Sequence, residues 1–282
     1  MNAGMPGQAT GKATVDMNRI ERAAPRGART SQTSLAGRTA LVTGASEGIG
    51  AAIALAFARC GASLVLVART ASKLEALAQR ARAEGATRVQ CAPADVTDSR
   101  AIRALIGGLE GLDIAVNNAG TNSPGPFVDL TDAELDAMLE LNVRAYFVIA
   151  QAAVQRMLAD GPRRGDACVI NVTSQMGHVG APQRAAYCMT KHAIEGLTKA
   201  MAVELAPQRV RVNSIGPTFI DTPLIRRIVD TPDKQRQMVS KIPLGRLGHV
   251  DDVAGAAVYL ASPAAAMTTG VCVRVDGGWT AQ

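Results

Sequence analysis

Three tyrosines occur in the chain, Tyr146, Tyr187 and Tyr259, and only Tyr187 has a lysine four residues later, Lys191. On a helix that spacing puts both side chains on one face. A free phenol titrates near 10 and is a poor base at neutral pH, and a neighbouring cation favours the phenolate. The pair is therefore expected to work as a general acid/base. Ser174 lies thirteen residues before Tyr187, just past an apolar strand-like run. A hydroxyl there can donate to a carbonyl oxygen and stabilise developing alkoxide charge. Without Tyr187 nearby it would read as an ordinary capping serine.

Such a site needs elements to position it. From Leu35 onwards short apolar runs alternate with longer amphipathic ones. Strands are expected at Thr39–Thr43, Ser63–Ala68, Arg88–Ala92, Asp113–Val116, Cys168–Val172, Arg209–Ser214 and Val271–Val275. Helices are expected at Ile49–Cys60, Ser72–Glu84, Asp98–Leu109, Asp132–Met157, Tyr187–Leu205 and Asp251–Ala261. This rhythm predicts an α/β fold, a doubly wound, mostly parallel Rossmann-type sheet of about seven strands with helices on both faces. One domain is expected over 35–282.

The first strand runs into Thr43-Gly44-Ala45-Ser46-Glu47-Gly48-Ile49-Gly50, and a helix starts there. Glycines at this junction let the backbone approach a ligand, and the helix N-terminus offers free N–H groups to a pyrophosphate. The spacing is GxxxGxG rather than GxGxxG. At the end of the second strand an acidic residue would bind a ribose 2′-hydroxyl, and a basic one would accommodate a 2′-phosphate. Arg69 stands there, which favours NADP over NAD, although Glu47 in the turn is less welcoming to the extra phosphate.

Together these segments resemble the short-chain dehydrogenase/reductase family across about 35–282. The pieces that match are Thr43–Gly50, Asp95-Val96, Asn117-Asn118-Ala119-Gly120, Asn142, Ser174, Tyr187–Lys191, Gly216-Pro217 and Asp276-Gly277-Gly278-Trp279. The resemblance implies that Tyr187 is the proton donor or acceptor. Lys191 would lower its pKa and bind the nicotinamide ribose, Ser174 would polarise the carbonyl, and Asn142 would hold a water linking Lys191 to solvent. It implies cofactor contacts from Gly44, Ser46, Glu47, Gly48, Ile49 and Gly50 in the turn, with Asp95 and Val96 flanking the adenine. Asn118, Ala119 and Gly120 would lie beside the cofactor, and Pro217, Thr218, Ile220 and Thr222 along the nicotinamide. Substrate choice would fall to Ser174, Gln175, Met176, His178 and Tyr187, and to a lid over Thr218–Pro243. The function implied is NAD(P)-dependent interconversion of a carbonyl and a secondary alcohol. The substrate stays open between a 3-oxoacyl thioester, met by Arg226 and Arg227 at the rim, and a sugar acid or polyol. The alternative is a dinucleotide-binding or sensing protein that kept the fold without turnover. The resemblance also implies a homotetramer.

Composition limits the other classes. The formal charge is +6, and residues 1–34 hold five basic residues against two acidic ones, so half of that excess lies outside the expected domain. No nucleic-acid footprint is expected from the scattered remainder. Residues 1–34 lack apolar periodicity and read as a disordered extension; a transit peptide, or a start at Met17, would fit as well. No run approaches the roughly 18 apolar residues of a membrane span. Cys60, Cys91, Cys168, Cys188 and Cys272 show no metal-like spacing, and His178, His192 and His249 are dispersed, so reduced thiols, a cytoplasmic location and no metal are expected. Cys188 with His192 remains a candidate nucleophile pair.

Overall fold

The computed structural model describes residues 32–159, 167–229 and 231–282. The elements run β1 (Thr39–Thr43), α1 (Gly48–Arg59), β2 (Ser63–Ala68), α2 (Ala71–Ala83), β3 (Val89–Pro93), α3 (Ser99–Gly107) and β4 (Ile114–Asn117). Then come α4 (Asp132–Leu139), a π-helical turn (Glu140–Arg144), α5 (Ala145–Ala159), β5 (Ala167–Val172), α6 (Ala185–Leu205) and β6 (Val210–Pro217). Helices α7 (Pro223–Ile228), α8 (Pro232–Val239) and α9 (Val250–Ala261) precede β7 (Cys272–Val275). The expected extension falls on residues 1–34, and its first 31 lie outside the described residues. Leu35 is already fully buried and its amide bonds Cys60 O at 2.8 Å.

All seven strands are parallel, in the order β3-β2-β1-β4-β5-β6-β7. The inner strands are apolar on both faces, as a sheet covered on both sides requires. Alternate residues feed two cores. Ala40, Val42, Leu64 and Leu66 face α1, α2 and α9, while Leu41, Val65 and Val67 face α3, α5 and α6. The strand order reverses between β1 and β4, and a crevice at their carboxyl ends is where such sheets bind ligands. Those ends carry the glycine turn, Asn117–Gly120 and Ser174.

One expected helix is interrupted. The run Asp132–Met157 is α4, a π turn and α5, and the wide turn falls on Asn142. The Asn142 side chain accepts from Thr121 N at 2.9 Å and donates to Thr121 O at 2.8 Å, which pins this turn to the segment after β4. The continuous run Asp132–Ala159 holds no unbroken apolar stretch of roughly 18 residues, yet its mean hydropathy and length are enough to cross a membrane. Its most apolar window is 56% buried within this fold, where α5 packs on α3, β4 and β5. Helix α6 begins at Ala185, so Tyr187 lies in its first turn.

Candidate active site

Gly44 and Gly48 in the turn after β1 have φ of +62° and +59°, the left-handed region that side chains disfavour. A Cβ on Gly50 would lie 2.3 Å from Gly44 O and 2.5 Å from Asn118 Nδ2, so the turn closes only on a bare backbone. Asn118 fastens it from β4, donating to Thr43 O and Gly44 O at 3.0 and 3.2 Å. Thr43 Oγ1 donates to Val116 O and accepts from Asn118 N at 3.0 Å. The result is a rigid cradle before the N-terminus of α1, whose first turn carries no acidic residue. Glu47 points to Lys73 on α2, 2.6 Å away, so its charge is already matched.

Arg69 is exposed at the end of β2. The Asp95 carboxylate accepts from Thr97 N and Oγ1 at 3.0 and 2.8 Å. These bonds, aided by Arg69, hold it below the usual carboxylate range. Arg69 thus stands beside Asp95 at the carboxyl end of β2, while Lys73 is paired with Glu47. At the other end of the crevice Thr218 Oγ1, just past β6, is buried without a hydrogen-bond partner. A closed glycine cradle at one end and an orphaned buried hydroxyl at the other fit a dinucleotide running across the switch point.

Ser174, Tyr187 and Lys191 converge at the carboxyl ends of β5 and β6. Lys191 is 3% exposed, and its ammonium donates to Val172 O at 3.1 Å while lying 5.6 Å from the Tyr187 ring centre and 5.2 Å from that of Tyr146. Tyr146 OH donates to the same Val172 O at 2.9 Å. Ser174 Oγ donates to Gln175 Oε1 at 2.7 Å and accepts from Met176 N at 3.1 Å. Asn142 Nδ2 reaches Thr190 Oγ1 on α6 at 3.3 Å, and a Cβ on Gly120 would sit 3.2 Å from Asn142 Oδ1 and 3.8 Å from Lys191 Nζ. The four residues of the expected site therefore share one corner of the molecule. Behind them Asn117 Nδ2 donates to Asn171 Oδ1, and Asn171 Nδ2 to Thr198 Oγ1, both at 2.9 Å, locking β4, β5 and α6 together.

Electrostatics correct one expectation. The Tyr187 phenol is pushed up to about 12 by burial, with the nearby Ser174 hydroxyl acting in the opposite direction. Burial brings Lys191 down to about 8, partly offset by Glu195. A lysine that has lost its proton before the phenol titrates cannot lower the phenol's pKa, and so desolvation outweighs the cation here. At neutral pH the site holds a neutral phenol beside an ammonium, the state suited to protonating a carbonyl oxygen.

The substrate side is less uniform than the sequence suggests. Gln175 and Met176 are 2% and 5% exposed and serve to hold the Ser174 turn. His178 turns inward, with Nε2 3.4 Å from Glu195 Oε1 at ion-pair distance but without hydrogen-bond alignment. Helices α7 and α8 occupy the expected lid, where Ile220 is buried and Thr222 caps α7. His192 Nδ1 meets the Cys188 carbonyl oxygen at 2.9 Å rather than the thiol. Two residues escaped the sequence reading. Arg184 caps α6 three residues before Tyr187, and its Nε is buried without a partner. Glu195 lies one turn beyond Lys191. Both stand at helical spacing from Tyr187 or Lys191, a signal present in the sequence.

Residues 44–280 match a family model described as Enoyl-(Acyl carrier protein) reductase. The L-xylulose reductase of Bos taurus is 37% identical over 88% of this chain and 98% of its own length. A crystal structure of a short-chain type dehydrogenase/reductase from Mycobacterium marinum superposes with a TM-score of 0.82 at 37% identity, covering 89% of this chain and 98% of that one. This chain belongs to the short-chain dehydrogenase/reductase family. A further solved structure, a gluconate 5-dehydrogenase from Burkholderia cenocepacia in complex with NADP and tartrate, has a TM-score of 0.83 and 34% identity over 89% of this chain and 98% of its own. As a member of the short-chain family, the chain is an NAD(P)-dependent oxidoreductase acting between a carbonyl and an alcohol.

Proposed function

We propose that the enzyme reduces the carbonyl of a small polyhydroxylated substrate, a ketose or keto sugar acid, with NADPH. The observation that carries this reading is the buried Lys191 ammonium 5.6 Å from the Tyr187 ring centre, with buried Ser174 in the same corner. In this reading Ser174 orients the carbonyl oxygen, Tyr187 delivers the proton, and Lys191 supplies the compensating charge and holds the nicotinamide ribose. Bound NADPH supplies the hydride. Asn142 lines the proton's route from solvent, beside Gly120 and Lys191. The cradle Gly44–Gly50 receives the pyrophosphate, with Ser46 and Ile49 at its rim, and Asp95 and Val96 border the adenine. Ala119, Pro217, Thr218, Ile220 and Thr222 border the nicotinamide half. Arg69 at the end of β2 supports NADP over NAD as the cofactor.

Unpartnered polar atoms near Tyr187 and after β4 favour a polar substrate. Asn122 Oδ1 and Arg184 Nε are both buried without partners, an acceptor and a cationic donor for hydroxyl or carboxylate groups. The relatives' names, L-xylulose reductase and gluconate 5-dehydrogenase, point the same way. The thioester reading relied on rim arginines, yet Arg226 is bound bidentately to Asp221 at 2.7 and 2.9 Å. A single catalytic domain over 35–282 and a homotetramer complete the proposal. Exposed Phe147, Met189 and Val203 on α5 and α6 and Met267 and Val271 beside β7 provide apolar faces for assembly. Thiols outside any disulfide among the described residues suit a cytoplasmic setting.

The test is a panel of ketoses, keto sugar acids and acetoacetyl thioesters with NADPH and NADH, followed at the nicotinamide absorbance. Turnover of the sugars with NADPH is expected. Turnover of thioesters alone would refute the substrate class, and NADPH binding without turnover of any carbonyl would restore the sensing alternative.

A further inference from the structure

Behind the catalytic corner lies a buried polar cluster that the reaction described above does not use. At its centre is Glu195 on α6, 5% exposed and one helical turn beyond Lys191. Thr173 Oγ1 donates to Glu195 Oε1 at 2.5 Å, and Ser214 Oγ of β6 donates to Oε2 at 2.7 Å. His178 approaches Oε1 from the loop after β5. Cys272 of β7 completes a His/Glu/Cys group whose ligand atoms lie within 4.8 Å of one another. The group is not furnished as a metal centre. Both carboxylate oxygens already accept from hydroxyls, and burial pushes the Cys272 thiol up to about 12, leaving no thiolate to bind an ion.

The same contacts surround the Ser174 loop. Thr173 immediately precedes Ser174, and Gly177 N bonds Ser174 O at 2.9 Å. A Cβ on Gly177 would lie 3.1 Å from both Glu195 Cγ and Lys191 O, so this loop rests directly on α6 at Glu195. We propose that Glu195 is a positioning residue of the reaction: its carboxylate fastens the Ser174 loop to α6 and stands one helical turn from the Lys191 ammonium. The inference rests on the carbonyl-reductase reading, because it assigns Glu195 a place in that site.

The electrostatic part follows from what faces each group. Lys191 is faced by Tyr187 and Glu195 on its own helix and by Tyr146 on α5; Glu195 is faced by Lys191, by His178 of the loop and by Cys272 of β7. Glu195 is the carboxylate in this set, and it opposes the desolvation of the lysine. Removing its charge lowers the pH at which Lys191 loses its proton.

The test is Glu195→Gln, which keeps the size of the side chain. In NADPH-dependent reduction the alkaline limb of kcat/KM is expected to fall by roughly one pH unit, the low end for an opposite charge within one helical turn. NADPH affinity, read by fluorescence titration against pH, is expected to move with it, and this readout needs no carbonyl substrate. Glu195→Asp retains the charge on a shorter arm. It is expected to keep the limb in place while lowering kcat/KM, because Thr173 and Ser214 can no longer both be reached. An unmoved limb in a folded, NADPH-binding Glu195→Gln overturns the proposal, as does an unaltered kcat/KM in Glu195→Asp if the glutamine variant does not fold. Failure of the wild type to reduce any carbonyl would count against the activity itself, and the affinity profile would still decide the role of Glu195.

Discussion

Lys191→Met tests whether the site keeps a cation in the core at the expense of stability. The lysine is 3% exposed, and burial brings its ammonium from the ordinary 10.5 down to about 8. That gap corresponds to about 3 kcal/mol of preference for the neutral form in the folded protein. Below about pH 8 the folded chain carries the charge against this preference, whereas the unfolded chain carries it freely. Between about 8 and 10.5 the unfolded chain binds more protons than the folded one, so the wild type gains stability as pH rises through this window. Methionine has a similar volume and no charge to desolvate. Urea unfolding of both proteins near pH 7 and near pH 10 reads the difference. The variant is expected to be the more stable by up to about 3 kcal/mol near neutrality, with the gap closing towards pH 10, while NADPH affinity and turnover collapse. The window ends there, because the Tyr187 phenol is raised to about 12 and its contribution is lost as the unfolded phenol ionises above about 10. A variant less stable than the wild type at both pH values, or a gap independent of pH, would refute the burial argument.

Tyr187→Phe keeps the packing of the ring and removes the proton. It is expected to lower single-turnover hydride transfer by about 10²–10⁴-fold with NADPH affinity nearly unchanged, as stopped-flow and fluorescence titration would show. Gly50→Ala places a methyl 2.3 Å from Gly44 O, an overlap that backbone cannot relieve cheaply. A loss of about 1–3 kcal/mol of stability and a larger loss of NADPH affinity are expected, measured by thermal unfolding and titration. Arg69→Glu reverses the charge at the end of β2 and should weaken NADPH by at least about tenfold while sparing NADH; equal losses for both cofactors would remove Arg69 from phosphate recognition.

Much of the fold is legible in the order of the residues. Parallel strands buried on both faces need continuous apolar runs such as Thr39–Thr43 and Ser63–Ala68, and their bounds agree with the expected ones. Three of the four proposed catalytic residues are legible because Tyr187 and Lys191 share one helix turn and Ser174 follows a strand, both matters of local spacing, whereas Asn142 is reached only through the family resemblance. The π turn at Asn142 could not be read this way. It depends on two hydrogen bonds to Thr121, twenty-one residues away, and no local propensity marks it.

The sequence by itself determined which groups are available: a phenol, a lysine, a hydroxyl, a glycine turn and an arginine after the second strand. Only the tertiary structure decided their charge states and partners. Burial depends on what the whole chain packs around a group, so the cation expected to lower Tyr187 is itself brought down to about 8, and the phenol rises. For the same reason His178, a substrate contact by position, turns to a carboxylate that α6 supplies from below, and Arg226, a free rim cation by composition, is bound to Asp221. Spacing along a chain fixes neighbours on a helix or strand. The contacts between elements, and the solvent they exclude, exist only once the sheet has closed over them.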